Sequence, residues 1–111
     1  MNEILYMKIS IKTKSKCLKL LKKYYKNKNY FDSVLPMNII EEGLKKIYNS
    51  IFYENKKSVF YLIDELIKQM ESFKSLDDLK LNKKLDVFIL NLKKLSYNIR
   101  IETDMTGITI N

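Results

Sequence analysis

Nine lysines, at positions 8, 12, 14, 16, 19, 22, 23, 26 and 28, stand in one run with no acidic residue among them. Uncompensated ammonium groups in such numbers do one kind of chemistry well. Each is a strongly hydrated point charge that pairs with a phosphate or another anion without reading sequence. Residues 1–31 hold these lysines and one acid, Glu3, for a net +8, while residues 32–111 hold twelve basic and twelve acidic residues. The whole charge excess is therefore local. Twenty lysines to one arginine, fourteen isoleucines and no alanine carry the imprint of an AT-rich genome, but that bias raises lysine everywhere and leaves the near absence of acids before residue 32 unexplained. Lys12, Lys14, Lys16, Lys19, Lys22, Lys23, Lys26 and Lys28 are the candidate polyanion-binding residues.

Two features inside the run add to this reading. Lys12-Thr13-Lys14-Ser15-Lys16 would place hydroxyls, lysines and free backbone N–H groups together at the start of a helix, where an anion is held; the simpler role is that Thr13 or Ser15 caps that helix. Tyr24, Tyr25, Tyr30 and Phe31 are interleaved with Lys22, Lys23, Lys26 and Lys28, as in proteins that stack and track single-stranded nucleic acid. Tyr24 belongs to an apolar stripe and Tyr25 flanks it, so core packing is favoured for both, and Tyr30 and Phe31 stay open. Arg100, the only arginine, is too little for a guanine-reading set.

Other chemistry is thinly represented. Histidine, the commonest general acid/base and metal ligand, is absent. The lone Cys17 can form neither an intramolecular disulfide nor a thiolate zinc site, and it reads as a small buried hydrophobe. Glu41/Glu42, Asp64/Glu65 and Asp77/Asp78 are the carboxylate pairs to consider for magnesium or acid/base work; acids in a first turn or on a solvated face account for each. Glu102 and Asp104 would join a metal site only if Asp64 or Asp86 approached them. Gly43 and Gly107 belong to no glycine-rich phosphate loop. The expectation is no catalytic residue, no metal and no cofactor, with an enzyme built on carboxylates alone as the remaining enzymatic option.

The elements that must position the lysines follow from hydrophobic periodicity. Residues 5–12 alternate, Leu5, Met7, Ile9 and Ile11 against Tyr6, Lys8, Ser10 and Lys12, which is the period of a half-buried strand. Cys17, Leu20, Leu21 and Tyr24 then mark a helix over about 15–27, with Lys16, Lys19, Lys22, Lys23 and Lys26 on its other face at about 100° per residue. Residues 27–35 read as a loop. Met37, Ile40, Leu44, Ile47, Tyr48 and Ile51 predict a second helix from Pro36 or Asn38 to about 53, and a short connection over 54–57 sends the next helix back antiparallel. Val59, Leu62, Ile63, Leu66, Ile67, Met70 and Phe73 give the third; a turn near 76–80 precedes the fourth, which carries Leu81, Leu85, Phe88, Ile89, Leu92 and Leu95 and ends near Ser96. Tyr97, Ile99 and Ile101, then Ile108 and Ile110, alternate around Gly107 as a hairpin.

The predicted fold is a single α+β domain over 1–111, in the order β-α-α-α-α-β-β. A basic strand-helix segment (5–28), a helical region (36–96) and a C-terminal hairpin (97–111) would place four helices on a short three-stranded sheet, whose open edges would permit a homodimer. No apolar run exceeds five residues, so no membrane span or secretory leader is expected, and a soluble cytoplasmic protein is the default. The leading functional expectation is a non-enzymatic binding protein whose lysine surface engages a polyanion, DNA or RNA backbone before others, largely independent of sequence. The alternative is an inhibitor or adaptor that docks on an acidic protein surface, such as a phage or mobile-element protein that blocks a host defence system.

Overall fold

The computed structural model describes residues 9–36, 38–53 and 56–110, with side chains over 9–36, 38–53 and 58–102. Five helices fill these residues: α1 (Ile11–Lys26), α2 (Lys28–Val34), α3 (Ile39–Phe52), α4 (Lys56–Ser72) and α5 (Leu79–Ile110). Among the described residues there is no strand. The expected α+β class and three-stranded sheet are thus overturned, and the protein is a small all-helical domain. Among the described residues there are accordingly no sheet edges of the kind expected to support a homodimer.

Four of the helices carry the same apolar spacing. Ile40, Leu44, Ile47 and Ile51 on α3, and Val59, Ile63, Leu66 and Met70 on α4, recur at i, i+4, i+7 and i+11 and are buried. Such a stripe covers one side of a helix and must meet another stripe to leave water. On α1 the buried set is Thr13, Cys17, Leu20, Leu21 and Tyr24, and on α5 it runs from Leu81 through Leu85, Phe88, Leu92 and Leu95 to Ile99. α1 packs on α3 and α5, and α4 packs on α3 and α5. Lys28, just past α1, meets Glu41 at the start of α3, and Ser10, just before α1, meets Glu102 far along α5. Each neighbour is therefore antiparallel, which closes an up-down-up-down four-helix bundle. At about 1.5 Å per residue the 32 residues of α5 span about 48 Å, and they set the 52 Å long axis of the molecule.

Three local expectations change, each for a physical reason. Residues 5–8 of the predicted strand lie outside the described residues, but 11 and 12 are helical: Ser10 is the N-cap, and its hydroxyl accepts the Thr13 N–H at 3.2 Å. The hairpin over 97–111 is replaced by α5, which continues to Ile110; Ile99 extends the buried helical spacing of Leu92 and Leu95 into the start of the segment, and residue 111 and the side chains from 103 lie outside the described set. The loop over 27–35 contains α2, folded around Phe31. That ring stacks on Tyr24 (5.9 Å between centroids) and meets Phe88 edge-on (5.7 Å), so the segment has a hydrophobic anchor.

Candidate functional site

The lysines of α1 do not form one face. Lys12, Lys16, Lys19, Lys23 and Lys26 follow 4-3-4-3 spacing, so they run along a single flank of the helix for about 21 Å. That flank faces α5. Lys16, Lys19 and Lys23 line one wall of a groove of about 480 Å³, and Asn91, Lys94, Tyr97 and Asn98 of α5 line the other. Leu20 and Leu95, both buried, complete the lining and tie it to the core. No carboxylate lines the groove, and Lys16, Lys19, Lys23 and Lys94 form no ion pair among the described residues.

The other candidate lysines lie elsewhere. Lys22 is exposed on the side of α1 away from the core, and Lys14 sits on the opposite flank with its ammonium 5.9 Å from the Phe52 ring. Lys28 is engaged by Glu41 at 3.3 Å and Asp32 at 3.4 Å. Its Glu41 hydrogen bond, opposed by partial desolvation, raises the ammonium's pKa and fixes the charge at the α1–α2–α3 junction. Glu41 also takes Lys45 at 3.4 Å. The Tyr25 hydroxyl is the largest influence on that carboxylate; with Lys28 and Lys45 it outweighs desolvation and holds Glu41 below its ordinary pKa.

The helix start weighed as an anion site already has an internal anion, and the residue that caps it is Ser10 rather than Thr13 or Ser15. Ser10 N–H (3.2 Å), Ser10 Oγ (2.5 Å) and Thr13 Oγ1 (2.8 Å) all donate to the Glu102 carboxylate from α5. The first turn of α1 carries no acid of its own, so Glu102 supplies the negative charge a helix N-terminus favours. Burial opposes its ionisation, but the donors at Ser10 and Thr13 together with the charge of Lys16 prevail, and its pKa falls below the ordinary value.

The interleaved aromatics are occupied as well. Tyr24 and Phe31 are core residues, Tyr25 reaches Glu41, and the Tyr30 ring lies under Lys80 (4.9 Å) and Lys84 (5.2 Å). Lys84 in turn donates to the Asn27 side chain at 2.8 Å, which fastens the end of α1 to α5. The aromatic residue that does line the groove is Tyr97, 63% exposed and without a ring or cation contact among the described residues. Assigning residues 97–102 to a strand hid it, and helical numbering from Asn91 and Lys94 is the signal that finds it.

Among the described residues no three acidic or cysteine side chains gather where they could hold a metal ion. The side chain of Asp104 lies outside that set. Cys17 is buried, and desolvation pushes its thiol up to about 12. None of the described helices is long and apolar enough to cross a membrane. Set against protein-family models, curated proteins and solved structures, the chain matches none of them.

Proposed function

We propose that the protein is a non-enzymatic polyanion-binding protein whose α1/α5 groove holds the phosphate backbone of a nucleic acid. What carries the reading is the lining of that groove, in which four lysines from two helices converge on one concavity that contains no carboxylate. Like charges held close together repel, and an anion laid between them removes that cost while it releases its own counterions. Lysine rather than arginine in every cationic position favours contact with phosphate over readout of bases.

Fluorescence anisotropy with random-sequence DNA and RNA over a range of salt tests the proposal. Engaging four phosphates predicts that log K falls with log salt at a slope of about −3 on a single strand. Lys19→Glu/Lys23→Glu/Lys94→Glu should weaken binding by about tenfold or more. Lys46→Glu/Lys68→Glu/Lys83→Glu makes the same change in net charge on other exposed positions and should cost much less. Equal losses from the two triple variants would reduce the effect to net charge and sink the groove as a site. Binding to polyglutamate with none to nucleic acid would transfer the groove to an acidic protein surface instead.

A further inference from the structure

Resting on the nucleic-acid reading, we infer that the groove takes a single strand, with a base stacked on Tyr97 and its phosphates held by Lys16, Lys19, Lys23 and Lys94. Shape is the first reason. The four lysines line a recess between two packed helices, whose axes lie about 8–10 Å apart in such packings. A duplex, whose major groove alone is ~12 Å across, is too broad to lie inside a recess between helices so spaced. A single strand needs only a basic channel with a ring beside it.

Tyr97 supplies that ring. It is 63% exposed on the wall that carries Lys94, and among the described residues no lysine covers its face as Lys80 and Lys84 cover that of Tyr30. An exposed ring among cations offers a stacking surface to any base, because every base has a π-face. Asn98 stands next to it with an amide that makes no hydrogen bond among the described residues and can donate to or accept from a base edge. The lysine flank of α1 runs on past the groove at both ends, to Lys12 and Lys26, so a strand leaving the recess stays on positive charge.

The test compares a fluorescein-labelled oligothymidylate of about twelve nucleotides with a duplex of the same length at one salt concentration. The single strand should bind about tenfold more tightly or better. Tyr97→Ala should weaken it about five- to a hundredfold with an unchanged salt slope, since no phosphate contact is lost. Tyr97→Phe should keep the affinity. The lysine triple variant should lose affinity with a shallower slope. Melting temperature and helicity verify that each variant is folded, and an exposed ring is safe to remove on that score. Duplex bound as tightly as the strand, or a neutral Tyr97→Ala, overturns the single-strand assignment while leaving the nucleic-acid reading in place. A wild type that binds neither probe at low salt overturns both.

Discussion

Glu102 accepts two hydrogen bonds from Ser10, one from its N–H and one from its hydroxyl, across 92 positions of sequence. With Thr13 as third donor, the carboxylate latches the first turn of α1 to α5. Hydrogen bonds to a charged acceptor are worth more than neutral ones, so Glu102→Ala should cost about 2 kcal/mol at neutral pH in urea unfolding. A carboxyl whose folded pKa lies below its ordinary 4.5 stabilises the fold in full above that value and ceases to do so as pH falls through the folded one. The gap between wild type and Glu102→Ala should therefore be widest at neutral pH and narrow in acid. An equal gap at pH near 7 and near 3 would show that ionisation is not what matters.

Gly43 is in the middle of α3, where helix propensity alone favours alanine by about 1 kcal/mol. A Cβ there would come within 2.7 Å of a methyl of Leu66, a side chain fully buried on α4. Crowding in a packed core costs about 1–3 kcal/mol, so Gly43→Ala should lower the melting temperature. A rise would mean that Leu66 has room to turn away.

Phe31→Ala tests whether α2 belongs to the core. The ring is buried between Tyr24 and Phe88, and its removal should cost about 3–5 kcal/mol in chemical denaturation. A loss under about 1 kcal/mol, typical of surface positions, would return the segment to the status of a loop.

The Cys17 thiol, buried and pushed up to about 12, holds almost no thiolate near neutrality. Reaction with an aromatic disulfide reagent should be slow in buffer and immediate in denaturant. Fast labelling of the native protein would place the sulfur nearer solvent than α1 puts it.

Part of this architecture is legible in the residues and part is not. The α4 stripe from Val59 to Met70 is unbroken and admits only a helix. Tyr97, Ile99 and Ile101 are ambiguous because positions i and i+4 share a side in either structure; the middle residue separates the two, and it is Ile99 that is buried while Tyr97 and Ile101 are exposed. Ile9 and Ile11 fail as a strand pair in the same way, one buried and the other 85% exposed. In the groove, the α1 wall is visible as lysines at 4-3 spacing. The α5 wall is not, since its place beside α1 is a tertiary fact that no local pattern encodes. Asn91, Lys94 and Asn98 repeat that spacing without an acid among them, which is the faint trace it leaves.

In this bundle the α3–α4 and α4–α5 seams join helices that follow one another along the chain and α1 and α3 are parted only by the short α2, and such contacts close short loops and form early. The α1–α5 seam alone brings together the first and last described helices. The proposed binding channel is therefore assembled by the slowest closure available to this topology, and no partial arrangement of α1 to α4 contains it. Whatever lies in the channel touches both sides of that closure and opposes its reopening, so occupancy should protect the amide hydrogens of α1 from exchange well beyond the residues it contacts.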